Sequence, residues 1–391
     1  MKKTACFLTI IALTIFQSIY TTPFTLASIY EELWHNKKIQ FHACHNQIPF
    51  EYKPFPIIEN PYFHPHRGIL DKAGVFIIPK GKAWSTFAYI HDDKNQFFKE
   101  FFTTELDISK HLEYALFLDF NNDYLRKIYG KVVVLTRINI TSYRNWISEV
   151  LGQLALLKQH NISYDWLYVP YECPFMKETL SLLGVDLSKI LQPWYENYYI
   201  QADELIVPSL PARYLPAPGD NDYIGGHPAV TYCAPWNLTW LKETFIPMAN
   251  HQIIDNDFCD KVFISRQDTG KRQITNEDEL FAYFEKKGFK RYRLAEMSFL
   301  QQVKLFHQAK YIVGAHGSGL TNIIFCNPNT CVIELVQNKF NSTYWYWSQD
   351  LQLNHHCIKT RDRTYDDANI HTYVPINIVA NYINKHITDL Q

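Results

Sequence analysis

The sequence predicts an α/β protein of two domains, the second built on a parallel, doubly wound sheet. Three observations carry that prediction. The chain has 391 residues, more than one ordinary domain holds at about 150 residues each. Past Asp260, short apolar runs alternate with amphipathic helical stretches, the sequence form of strands joined by crossover helices. Just before that change lies the most loop-like stretch, 208–226, where Pro208, Pro211, Pro216 and Pro218 stand among Gly219, Gly225 and Gly226. Composition agrees, since 47% hydrophobic residues supply a core and 20% charged residues argue against disorder. Lys+Arg 38 against Asp+Glu 39 forces no basic face, which counts against a nucleic-acid partner.

The elements follow in order. Lys2 and Lys3 precede an apolar run from Ala5 to Phe16 that continues to Tyr20. That pattern predicts a signal peptide or N-terminal membrane anchor over 1–28, and with it an exported or membrane-anchored protein. A first α/β domain is expected over 29–249, with buried strands at Gly74–Pro79, Ala115–Phe120 and Lys131–Arg137. Tyr143–Gln159 reads as a helix, because Trp146, Ile147, Val150, Leu151, Leu154 and Leu157 recur at spacings of three and four. Trp166–Val169 is the next strand, and Pro174 opens a helix over Phe175–Leu183. The second domain, 250–372 beyond a hinge near residue 250, has strands at Lys261–Ser265, Lys290–Leu294, Tyr311–Val313 and Thr330–Val336. Helices Glu277–Lys287, Phe299–Gln308 and Leu320–Phe325 alternate with them. A last helix, Ile376–Ile387 within 373–391, is expected to pack back on the first domain.

Metal and redox signatures are weak. The eight cysteines include no C-x-x-C pair. His42, Cys44 and His45, like His355-His356-Cys357, lack a second half at finger spacing and read as strand or loop residues. Four N-x-S/T triplets begin at Asn139, Asn161, Asn237 and Asn341, too common in an Asn-rich chain to fix a secretory route.

Open parallel sheets bind ligands outside the carboxyl ends of their strands. Two such ends carry chemistry here. After Val262-Phe263-Ile264 come Ser265, Arg266, Lys271, Arg272, Asn276 and Glu277. Guanidinium groups in that loop suit forked bonds to phosphate; the competing reading is a solvated charged loop with Asn276 as a helix cap. After Tyr311-Ile312-Val313 comes Gly314-Ala315-His316-Gly317-Ser318-Gly319-Leu320-Thr321-Asn322. Glycines let backbone approach an anion, and a following helix aims N–H groups at it. A tight turn with a buried, satisfied His316 is the competitor. Asn322 stands where a dinucleotide fingerprint needs Gly, and His316 stands where a nucleophile elbow needs one. Together the two ends suit a diphosphate leaving group. Glu334 either accepts from ribose hydroxyls or pairs with a nearby arginine.

These residues, Ile264-Ser265-Arg266, Arg272, Asn276-Glu277, the Gly314–Asn322 turn and Val332-Ile333-Glu334-Leu335, resemble glycosyltransferase family 61. Upstream, Tyr143-Arg144-Asn145-Trp146-Ile147-Ser148-Glu149 resembles the family's aromatic–His–Trp–x–x–acid helix, with Asn145 where His is usual. The resemblance implies a GT-B-like fold of two Rossmann-like domains facing a cleft, and an inverting transferase acting on a nucleotide sugar without a cofactor or D-x-D metal. Asp220-Asn221-Asp222 and Asp255-Asn256-Asp257 fit D-x-D only formally. It further implies a glycan or glycoprotein acceptor, held on the first-domain side near Asn145 and Trp146. Donor contacts are expected from Ser265, Arg266, Arg272, Asn276, Gly317, Ser318, Gly319, Leu320, Thr321, Asn322 and Glu334. His316 would bond phosphate or sugar, and Glu149, facing the cleft, would act as base. Domain closure over the donor would exclude water. Rival expectations are a serine-type hydrolase using Ser318 and a non-catalytic sugar-binding relative, the latter suggested by Asn145.

Overall fold

The computed structural model describes residues 25–35, 38–53, 67–84, 89–101, 125–135, 137, 140–193, 199–214, 231–252, 258–270, 272–336, 342–360 and 371–390. Most of the expected leader, the strand Ala115–Phe120 and both D-x-D triplets lie outside them. Among the described residues no helix is long and apolar enough to cross a membrane.

Among the described residues the first half holds fourteen strands. They are β1 (Thr25–Ala27), β2 (Gln40–His45), β3 (Ile48–Glu51), β4 (Arg67–Leu70), β5 (Ala73–Pro79), β6 (Lys82–Trp84) and β7 (Tyr89–His91). Then come β8 (Gln96–Phe98), β9 (Leu125–Val134), β10 (Trp166–Tyr168), β11 (Ile190–Leu191), β12 (Tyr199–Pro208), β13 (Ala212–Tyr214) and β14 (Thr231–Cys233). Ten of them form one mixed sheet. Only β12-β9-β10-β11 and β1-β8 run parallel; β5 and β6 pair antiparallel to β12. Val132, Val133 and Val134 of β9 are at most 1% exposed, as expected of a strand covered on both faces. The first half is thus α/β, but parallel only in part.

Its helices are α1 (Ile29–His35), α2 (143–159), α3 (Pro174–Leu182) and α4 (Pro235–Gln252). The whole predicted apolar stripe of α2 is buried. One feature departs from expectation: Trp146–Val150 forms a π turn between α-helical Tyr143–Asn145 and Leu151–Gln159. The wider turn brings Asn145 through Val150 all into the interior, and such insertions concentrate at functional sites.

The second half is regular. Strands β15 (Lys261–Ile264), β16 (Lys290–Tyr292), β17 (Tyr311–Ala315), β18 (Cys331–Val336) and β19 (Asn354–Lys359) lie in the order β16-β15-β17-β18-β19, all parallel. Helices α5 (Glu277–Glu285), α6 (Phe299–Gln308), α7 (Thr343–Asp350) and α8 (Ile376–His386) accompany them. The α6 start carries the reciprocal capping box of Ser298 and Gln301, a device stabilising a helix by about 1 kcal/mol. Ser318–Phe325 is a 3-10 helix rather than an α-helix.

Two features bear on how the halves join. The boundary near 250 falls inside α4, a continuous helix whose Leu238, Leu241, Phe245 and Ala249 are buried. Phe245 packs edge-on against Phe299 of α6, with ring centroids 4.9 Å apart. One apolar cluster therefore runs from Val133 and Leu167 through α2 and α4 to Phe299, Ile323 and Trp347. The C-terminal helix α8 does not return to the first sheet. Its Val379 and Ile383 join Phe263, Leu280 and Phe284 in the core on the outer face of the second sheet.

Candidate active site

The strand order of the second sheet fixes where a crevice opens. From β15 the chain runs by α5 to β16 on one side; from β16 it runs by α6 to β17 on the other. Loops leaving the carboxyl ends of β15 and β17 therefore diverge, the arrangement at which open α/β sheets bind ligands. The first loop carries Ser265, Arg266 and Arg272; the second carries His316, Gly317 and Ser318.

Although the two connections lead away in opposite directions, their first residues meet across the crevice. A side chain placed on Gly317 would put its Cβ 1.9 Å from Arg266 Nη1, so the guanidinium occupies the space a larger residue would need. Arg272 Nη1 donates to the carbonyl of His316 at 3.4 Å. Arg266 is 8% exposed, and its pKa is brought down to about 10, by burial first and then by the neighbouring Arg272 charge. Burial lowers Arg272 as well, and among the described residues its Nε has no hydrogen-bond partner. Two desolvated like charges side by side are costly unless an anion arrives. Arg266 is anchored from behind: Glu277 accepts from its backbone N–H at 3.0 Å and from the Ser265 hydroxyl. Ser265 thus holds the loop.

The turn itself is braced from α7. Tyr344 donates to the carbonyl of Gly317 at 2.8 Å, its ring lies 5.4 Å from that of His316, and the Thr321 hydroxyl faces its phenol. Ser318 and Gly319 are half-buried, and Leu320 is core.

His316 is 6% exposed and its Nδ1 bonds Glu334 Oε1. Among the described residues Glu334 pairs with an imidazole rather than with an arginine. Cross-strand register explains the meeting, since Gly314 pairs with Glu334 and Glu334 pairs with Cys357. The second carboxylate oxygen bonds His355 Nε2 at 3.0 Å, and the Cys357 thiol donates to it at 3.8 Å. His355 Nδ1 in turn meets Ser348 Oγ at 2.7 Å. Burial would raise the Glu334 carboxyl, but the two imidazoles outweigh it and hold it at about 2. Glu334, His355 and Cys357 bring ligating atoms within 4.8 Å of one another, and each of those atoms already takes part in a hydrogen bond.

Other expected site residues serve elsewhere. Glu149 is 1% exposed; Arg137 bonds both its oxygens and Arg144 lies 3.5 Å away. The carboxylate is enclosed, not turned to an open cleft, because the π turn rotates it onto the arginines. Trp146 is wholly buried and donates to Thr179 Oγ1 at 2.9 Å; no face is left for an acceptor sugar. Asn145 is 4% exposed. Asn276 makes no cap bond; its amide exchanges two 2.9 Å bonds with the backbone of Val374, fastening the C-terminal segment. Asn322 joins the halves: Tyr143 donates to its Oδ1 at 2.7 Å and it donates to Gln302 at 2.9 Å. Among the described residues Ser318 has no histidine partner, as a hydrolase nucleophile would require. His45 stacks on Trp236 at 4.4 Å rather than gathering ligands. Asn237, one of the sequon asparagines, is fully buried.

Comparison with known proteins follows the same residues. The Glycosyltransferase 61 family model matches residues 143–333. A beta-1,2-xylosyltransferase of Arabidopsis thaliana is 40% identical over 52 residues, 13% of this chain. That match spans 10% of the relative's length. From the start of α2 to the strand that bears Glu334, the chain is similar to the Glycosyltransferase 61 family.

Proposed function

We propose that the chain is an inverting glycosyltransferase of GT-B type that moves a sugar from a nucleotide sugar to a hydroxyl of a glycan or protein. The second sheet would bind the donor, and the first half would face the acceptor. One observation carries the reading: the guanidinium of Arg266, buried, lies against Gly317, and that of Arg272, half-buried, lies against the His316 carbonyl. A diphosphate seated there neutralises two desolvated charges at once. Charge growing on the departing phosphate oxygen would meet donors already in place, which lowers the barrier without reorganisation. No metal is needed to hold the leaving group in this scheme. The xylosyltransferase activity of the plant relative makes a pentose a first donor to try. The Lys2-Lys3 end and the apolar run behind it would direct the chain to a membrane or to export, which cell fractionation checks.

The test is a thermal-shift screen of the full chain against UDP, GDP and CMP sugars. Binding at a hundredfold Kd stabilises by about 2.7 kcal/mol, well within detection. Arg266→Ala and Arg272→Ala should each abolish the shift while keeping the cooperative melt. Absence of any nucleotide response, or an undiminished response in both variants, refutes the reading.

A further inference from the structure

We infer that His316 is the base for the acceptor hydroxyl, and that Ser348, His355 and Glu334 form a buried chain that sets its tautomer and steadies its charge. The inference rests on the transferase reading and names a part of the machinery that reading leaves open. Glu149 is removed from the role by its enclosure between Arg137 and Arg144. Within the crevice, His316 sits one residue from the glycine that touches Arg266, where a leaving diphosphate would lie.

Four polar groups stand in line. Ser348 Oγ meets His355 Nδ1, His355 Nε2 meets Glu334 Oε2, and Glu334 Oε1 meets His316 Nδ1. A carboxylate accepts and cannot donate, so each imidazole must present N–H to it. His316 therefore carries its proton on Nδ1, and His355 carries its own on Nε2 with Ser348 donating to the free Nδ1. The remaining His316 nitrogen, Nε2, has no hydrogen-bond partner among the described residues, and 7% of the side-chain surface stays open. A lone pair on Nε2 is what a base needs. The same logic, an imidazole oriented by a buried carboxylate, serves hydrolases on unrelated folds. Here a second imidazole is added behind the carboxylate. Among the described residues, charged or titratable groups about the ring include Tyr344 from α7, with Arg144 near its phenol, and Arg266 and Arg272 from the loop after β15.

The step balances as follows. The acceptor O–H gives its proton to His316 Nε2 while its oxygen bonds the anomeric carbon from the face opposite the diphosphate. The bond from that carbon to the phosphate oxygen breaks, and its electron pair leaves with the nucleoside diphosphate. Configuration inverts. The imidazolium formed is paired with the Glu334 carboxylate, then loses its proton to water. Glu334, His355 and Ser348 touch no reacting atom; they are positioning residues.

Two measurements test this on the full chain. Nitrogen-15 histidine spectra of the unmodified protein at neutral pH should find His316 protonated on Nδ1 and bare on Nε2; the reverse tautomer overturns the inference. Turnover with UDP-xylose, followed by UDP release, should fall about 10²–10⁴-fold in His316→Gln, the range for loss of a positioned base. His355→Phe should lower kcat at least tenfold with the donor KM unchanged, and His355→Gln, which keeps an N–H toward Glu334, should restore most of it. A His355→Phe enzyme with full kcat refutes the chain, as does one equivalent of zinc in the purified protein, since His355 would then be a ligand beside Glu334 and Cys357. UDP and GDP calorimetry separates the two claims. Nucleotide binding with the wrong tautomer sinks the base assignment alone, whereas no nucleotide binding sinks the transferase reading and this inference with it.

Discussion

Glu149 and Glu334 are each 1% exposed, and each is held between two nitrogenous side chains. Their partners differ in one respect. Arg137 and Arg144 can only donate hydrogen bonds, whereas the neutral imidazoles of His316 and His355 each carry one donor and one acceptor nitrogen. The first carboxylate is thus a fixed counter-ion at the junction of β9 and α2. The second is the midpoint of a device that can pass charge toward the crevice. Depth of burial does not distinguish a base or its orienter from a structural ion; the donor and acceptor character of the neighbours does.

The sharpest way to break this comparison is to neutralise both acids. Glu149→Gln leaves Arg137, 3% exposed, without its counter-charge, and should cost about 3–5 kcal/mol in urea unfolding. Glu334→Gln should cost about 1–3 kcal/mol, retain nucleotide binding and lose transfer. Equal stability losses would erase the distinction. Next in size is Gly317→Ala. Its Cβ must displace the Arg266 guanidinium, and loss of one charged hydrogen bond at about 1.5–3 kcal/mol predicts at least tenfold weaker nucleotide binding by calorimetry, with the melt little changed.

Acid sensitivity sharpens the contrast further. Glu334 is held at about 2, below its ordinary 4.5. A depressed carboxyl contributes stability that is present above about 4.5 and lost as pH falls toward about 2. Glu334→Gln should therefore flatten the unfolding curve across that window. The smallest effect is expected at the seam between the halves: Tyr143→Phe removes the bond to Asn322 and should cost about 1 kcal/mol.

The legible parts of the molecule are those where local pattern and long-range packing agree. Buried runs such as Val262–Ile264 and Val332–Glu334, each followed by a turn and an amphipathic helix, announce β15, β18 and the crevice between diverging loops. The nearness of the Arg266 loop to the glycine turn follows from the pairing of β15 with β17. β19 was hidden because Asn354-His355-His356-Cys357 alternates in neither hydrophobicity nor charge. Consequently His355 had no visible link to Glu334, a link made only by cross-strand register. α4 was missed because polar residues and Pro247 interrupt its apolar face. The enclosure of Glu149 is illegible for a different reason. A helix of ordinary pitch does not hold Arg144 and Glu149, five residues apart, on one face, and the π turn that rotates the carboxylate inward leaves no mark in composition.

The uninterrupted helix Pro235–Gln252 has a mechanical consequence. Swinging the two sheets apart like the shells of a clam would drag Leu241, Phe245 and Phe299 into water, at about 1.5–3 kcal/mol apiece. For the proposed transferase, this packing predicts that reactants enter and depart by small local excursions at the rim rather than by a gaping of the whole.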